Sequence, residues 1–127
     1  MRILSIAVAG FIGTLGVAAF NASAAEPALK TVAAVNQNKT TLVGKTIRAQ
    51  GKVVKVNNGI MGRNFVHVQD GTGDAKTTTN NLIATSKQTA QVGDSVTISG
   101  TVVVNRDFGG GYTYPLLIED ATIVAKK

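Results

Sequence analysis

The 127-residue sequence contains no cysteine, no tryptophan and a single histidine, and it sets seven acidic residues against thirteen lysines and arginines. Without cysteine there is no disulfide framework, thiol nucleophile, haem attachment or zinc–thiolate site. The lone histidine, His67, and acids that fall mostly in turn-forming sequence (Asp70, Asp74, Asp94, Asp107) offer no nucleophile, base and orienter set, so catalysis is not expected. Asp70 and Asp74 bracket Thr72, but the other ligands of a calcium loop are missing, and both acids read as turn caps. The cationic surplus favours anionic partners by weak long-range attraction. The basic residues are scattered, as on an ordinary solvated surface.

The one long hydrophobic run is N-terminal. Arg2 gives a basic start, Ile3 to Phe20 is apolar or small and uncharged, and Ala22-Ser23-Ala24 fits the small-x-small rule for signal peptidase. Residues 1–24 therefore read as a cleaved export signal rather than a membrane anchor, and residues 25–127 as one exported domain with no membrane span. Removal of the signal leaves twelve Lys and Arg against seven Asp and Glu, a net charge of about +5. It also leaves four aromatic residues, Phe65, Phe108, Tyr112 and Tyr114, confined to two segments.

The more informative of these segments is Gly59 to Asp74. In Asn64 to Gln69, alternation puts Val66 and Val68 on one face and Phe65, His67 and Gln69 on the other, so one face is core and the other is free to meet a partner. Asp70-Gly71-Thr72-Gly73-Asp74 is turn chemistry.

Elsewhere, Ala28 to Asn36 carries apolar residues near helical spacing, including Leu29, Val32 and Val35, and Asn36-Gln37-Asn38 is expected to stop that helix. Thr46 to Asn57 reads as a long first strand. Its apolar phase changes between Val53 and Val54, the signature of a β-bulge in a strand bent to serve two parts of a barrel. Leu82 to Thr85 reads as a short third strand and Ser95 to Val104 as a fourth, with Gly100 marking a bend or a close backbone approach. Asn105 to Gly111 reads as a mobile loop and Tyr112 to Val124 as the fifth strand, with irregularities at Pro115 and at Glu119-Asp120.

A short helix and five strands, the first long and bulged, are compatible with an all-β fold: the five-stranded Greek-key barrel of the OB-fold. Phe65-Val66-His67-Val68-Gln69-Asp70-Gly71-Thr72-Gly73 resembles the second-strand signature of OB domains, an alternating strand running into D-x-T-G. Val92 to Val102 resembles their fourth-strand entry, V-G-D-x-V-x-x-x-G-x-V. With the export signal, G-x-M-G-R-N-F-x-H-x-Q-D-G-T-G and D-F-G-x-G-Y-x-Y resemble small exported bacterial OB-fold proteins, some of nucleic-acid-binding-like type and some associated with periplasmic nitrite reductase systems. That resemblance implies a periplasmic binding or accessory role and carries no catalytic residue onto this chain.

The expected function is thus non-catalytic binding of a periplasmic protein or small anionic ligand through Arg63, Phe65, His67 and Gln69 together with Phe108, Tyr112 and Tyr114. No cofactor is required. One alternative is Cu(I) carriage by Met61 and His67, the thioether and imidazole ligands that this ion favours. The other is single-stranded nucleic acid stacking on the rings, with Arg63, Lys52 and Lys55 near phosphates, although export makes that partner uncommon.

Overall fold

The computed structural model describes residues 26–126. The expected export signal, residues 1–24, lies outside the described residues. Among the described residues two short helices, α1 (Val32–Gln37) and α2 (Lys39–Leu42), precede β1 (Thr46–Ile60), β2 (Arg63–Gln69), β3 (Leu82–Ser86), β4 (Ser95–Asp107) and β5 (Thr113–Ala125). The strands close in the order β1-β2-β3-β5-β4, every pairing antiparallel except β3 with β5, which meet in parallel at Ala84 and Ile118. This is the OB-fold barrel. Among the described residues no helix is long and apolar enough to cross a membrane.

The barrel closes because β1 serves two partners. Its first half, Thr46 to Lys52, pairs with β4, and its second half, Lys52 to Ile60, pairs with β2. The register slips between Val53 and Lys55, where the apolar phase changes, so Val53 and Val56 both turn inward while Val54 is pushed outside. The core is aliphatic, built from inward residues such as Ile47, Val66, Val68, Leu82, Ile98 and Ile118. A Cβ on Gly100 would lie 2.8 Å from the Glu119 carbonyl oxygen, so glycine lets β4 approach β5 where the latter bulges at Asp120, φ 52°.

α1 plugs one end of the barrel with Val32 and Val35, both fully buried. It starts later than the periodicity suggests, because Thr31 caps it by accepting a hydrogen bond from the Ala34 N–H at 3.0 Å. Leu29, assigned from the sequence to the helix's inner face, instead forms a bridge beside Arg48 and is 48% exposed. As expected, Asn36-Gln37-Asn38 ends α1, with Asn38 as its C-cap, and the separate short helix α2 follows at once. Asn36 is a latch: its Nδ2 donates to the carbonyls of Val32, Thr79 and Asn81 and ties α1 to the chain entering β3.

The D-x-T turn after β2 holds the helix from the other side. Two of the first backbone donors of α1 are accepted by this turn: Val32 N–H by Asp70 Oδ2 at 2.9 Å, and Ala33 N–H by Thr72 Oγ1 at 3.0 Å. Burial alone would raise the Asp70 pKa, but hydrogen bonds from the Thr72 hydroxyl and the Val32 and Thr72 backbone amides hold it below its ordinary 3.8. A depressed carboxyl contributes stability that is complete above that ordinary value and disappears as pH falls through the folded-state pKa. Asp70→Ala is expected to destabilise the domain by about 0.5–2 kcal/mol at neutral pH through loss of the cap. The variant should also show a shallower acid-induced loss of stability than the parent in urea unfolding at stepped pH.

The segment read as a mobile loop, Asn105 to Gly111, is largely hairpin. β4 runs on to Asp107, and the reversal is fixed by bonds from Phe108 N–H to the Tyr112 carbonyl and from Tyr112 N–H to the Gly109 carbonyl, at 2.8 and 3.0 Å. Asp107 Oδ1 accepts the Gly109 N–H within the turn. This hydrogen-bonded hairpin brings its rings back onto β2.

Candidate functional site: the outer wall of β2 and β3

The outward face of β2 carries Phe65, His67 and Gln69, as alternation predicts, while Val66 and Val68 enter the core. It is not one continuous binding surface. The β4–β5 hairpin covers its Phe65 end and leaves the His67–Gln69 end open, dividing the wall into a sealed aromatic cluster and a groove.

In the cluster, Phe65 is only 1% exposed although it lies outside the barrel core. Its ring centroid is 5.8 Å from Phe108 in an edge-on contact and 5.4 Å from Tyr114, and Phe108 and Tyr114 meet edge-on at 5.8 Å. These are favourable geometries for ring quadrupoles. Arg63 and Arg106 place their guanidinium carbons 5.3 and 4.6 Å from the Phe108 centroid. Arg106 Nε and Glu119 Oε2, both sealed from solvent, face each other at 2.9 Å. The expectation that Phe65 is an exposed binding residue is therefore corrected: it is buried beneath Phe108 and Tyr114, which stay half-buried, in a small aromatic cluster on the outside of the barrel. Tyr112, 58% exposed at the turn, is outside this ring cluster.

The groove has a volume of ≈ 710 Å³. His67 and Gln69 line it from β2, Lys55 and Val54 from β1, Ile83 from β3, and Pro115 and Leu116 from β5. The helical segment adds Asn36 and Lys39, and the chain from Thr77 to Asn81 completes the rim. Lys55 stands directly across the β1–β2 ladder from His67, and Ile83 across the β2–β3 ladder. Among the described residues neither Lys39 nor Lys55 is in an ion pair, and no acid lines the groove.

The His67 pKa is lowered from its ordinary 6.5, first by burial and then by the positive charge of Lys55. The imidazole is thus mainly neutral at neutral pH. A proton-detected titration should place the His67 midpoint below 6.5, and Lys55→Gln should move it upward by removing the like charge. An unchanged midpoint in that variant would leave burial as the whole cause.

Met61 occupies the tip of the β1–β2 hairpin, at φ 53° and 45% exposed, next to Gly62 in a two-residue turn closed by the Ile60–Arg63 pair. His67 pairs with Lys55 further down the ladder. With roughly 3.4 Å of rise per residue, about 14 Å of strand separates Arg63 from His67, and Met61 lies beyond Arg63. The Met61–His67 copper pair is corrected accordingly: the two side chains do not converge on one ion. Among the described residues there is also no group of three or more His, Cys, Asp or Glu placed to hold a metal ion.

Of the residues singled out from the sequence, then, His67, Gln69 and Lys55 line the groove. Arg63 covers the aromatic cluster, Phe65, Phe108 and Tyr114 build it, and Met61 and Tyr112 lie at hairpin tips. Sequence reasoning missed Lys39, Asn36, Asn80 and Asn81. The helix residues left no signal because their place depends on how α1 docks. Lys55 opposite His67 was recoverable by counting back from the Met61-Gly62 turn through the bulge.

No family model and no curated protein sequence matches the chain. Among solved structures it is similar to a crystal structure described as an aspartyl-tRNA synthetase from Leishmania major Friedlin, with a TM-score of 0.52 and 14% sequence identity. The likeness shows the fold. It covers 80% of this chain but only 21% of that one, so the barrel corresponds to about a fifth of the larger protein.

Proposed function

We propose that the protein is a non-catalytic, exported OB-fold binding protein that takes a small anionic ligand in the groove between β2–β3, the helical segment and the Thr77–Asn81 chain. The supporting observation is charge placement: Lys39 and Lys55 approach one groove from different elements, without an acid among its lining residues and over a partly apolar floor. Concave sites with an apolar lining and a few polar anchors are the usual form of small-ligand pockets. The location matches the face that OB barrels use for ligands. Nucleic-acid binding has less support, because single strands need exposed rings on which to stack and the rings of this wall are largely consumed by the Phe65 cluster. A second reading, docking of a periplasmic protein, draws on the exposed Ile60, Met61 and Tyr112 at the two hairpin tips.

The test titrates the isotope-labelled domain with citrate, glucuronate and AMP, following backbone amide shifts. Perturbation should centre on Lys55, His67, Gln69 and Asn81, and Lys55→Glu should weaken binding at least about tenfold, or about 1.4 kcal/mol. Shifts spread over the surface lysines, or confined to the hairpin tips, would overturn the groove reading.

A further inference from the structure

We infer that the ligand of this groove is an acidic oligosaccharide, a short chain of pyranose rings bearing carboxylates; this rests on the groove reading just given. The volume, ≈ 710 Å³, is that of a site for a molecule of several rings rather than for a single small ion. Three features of its lining select the chemistry.

The neutral polar groups available to a ligand are carboxamides. Gln69, Asn80 and Asn81 present groups that both donate and accept, while the Thr77 and Thr79 hydroxyls on the rim are engaged with each other and with the Asp74 backbone. Such a lining matches a ligand whose own polar groups are hydroxyls, which also do both. It suits a fatty acid poorly, since burying these groups against a hydrocarbon chain would leave them unpaired.

The apolar strip is aliphatic. Val54, Ile83 and Pro115 offer a surface against which the C–H face of a pyranose can pack, whereas a nucleobase calls for an aromatic platform. Apart from the His67 imidazole, no aromatic side chain among the described residues lines the groove. Phe65, the nearest ring in sequence, is sealed beneath the β4–β5 hairpin.

The cations are lysines, not arginines. A lysine ammonium is a compact point charge on a flexible stem and lacks the planar fork that grips one phosphate or carboxylate in a bidentate manner. Lys39 on α2 and Lys55 on β1 are separate anchors, as suits carboxylates distributed along a chain. His67, mainly neutral at neutral pH, adds hydrogen-bonding capacity without another fixed charge.

The experiment uses the exported chain without its signal and four probes: tetragalacturonate, the same oligosaccharide with its carboxylates reduced to hydroxymethyl groups, a four-nucleotide oligo-dT, and citrate. Calorimetry gives affinity and amide shifts give location. Tetragalacturonate should bind with perturbations at Lys55, His67, Gln69 and Asn81, and the reduced chain should bind at least tenfold more weakly. Lys39→Gln with Lys55→Gln should lose at least tenfold in affinity, and Gln69→Ala, which keeps both charges, should lose several-fold. Equal affinity for the reduced chain would overturn the acidic assignment. Oligo-dT or citrate binding in the groove without tetragalacturonate would overturn the oligosaccharide and leave the groove reading standing. Silence of the groove amides toward all these anions would end both.

Discussion

Phe65→Ala is expected to lower the stability of the domain by about 3–5 kcal/mol, the range for removing a large buried ring. The ring is 1% exposed and roofed by Phe108 and Tyr114. Truncation would open a cavity beneath a two-stranded hairpin whose tip has little else to pack against, so the roof loses its support as well. For a domain of this size each kcal/mol corresponds to roughly 4–8 °C, which puts the expected fall in Tm well above 10 °C. Tyr112→Ala removes a ring of similar size from the same hairpin, but that ring is 58% exposed, and a change within about 0.5 kcal/mol is expected. Urea unfolding of the two variants side by side is the check. If Phe65→Ala were as mild as Tyr112→Ala, Phe65 would be a surface platform after all, and stacking ligands would return to contention.

The second large effect is expected at Gly73. This residue has φ +85°, and a Cβ built on it would lie 2.7 Å from Asn80 Cα and closer still to the Thr79 carbonyl. Alanine therefore meets two obstacles. The left-handed backbone costs it about 1–2 kcal/mol, and the contacted atoms are main chain, which cannot swing aside as a flexible side chain would. Displacing packed structure adds about 1–3 kcal/mol, so a total loss of roughly 2–5 kcal/mol is expected. The displaced chain is the one held by Asp74, whose backbone N–H donates to Thr79 Oγ1 and whose carbonyl accepts from Thr77 and Thr79 N–H. The same chain forms the rim of the groove. Gly73→Ala should consequently lower thermal stability and shift the amide resonances of Thr79 to Asn81 in the folded fraction. Gly71→Ala is the control: it shares a positive φ, but a Cβ there meets nothing within 4 Å, so only the conformational part of the loss should appear.

Much of the barrel is legible in the sequence because it is written in alternation and its interruptions. The slip between Val53 and Val54 reports the bulge in β1, Gly100 reports a backbone contact, and Glu119-Asp120 reports the β5 irregularity. The D-x-T-G turn is equally visible as a turn, but not as the cap of a helix some forty residues earlier, because the Val32 and Ala33 amides come to it only through folding. The site is less legible for a related reason. Alternation assigns Phe65, His67 and Gln69 to the outside of β2, and they are there. Whether outside means exposed depends on what folds over the strand.

Period-two patterning and turn chemistry were thus compatible with a small barrel, the resemblance of two motifs to OB domains narrowed the choice to it, and the absence of cysteine removed thiol and disulfide chemistry. Those signals are local, acting between residues a few positions apart, and they settle which way each side chain points from its strand. The docking of the β4–β5 hairpin over Phe65 and of α1 and α2 beside His67 was decided by tertiary structure alone. It depends on side chains from distant parts of the chain filling each other's space, and no local pattern encodes that complementarity. The same docking turned a row of equivalent outward residues into one sealed aromatic cluster and one cationic groove.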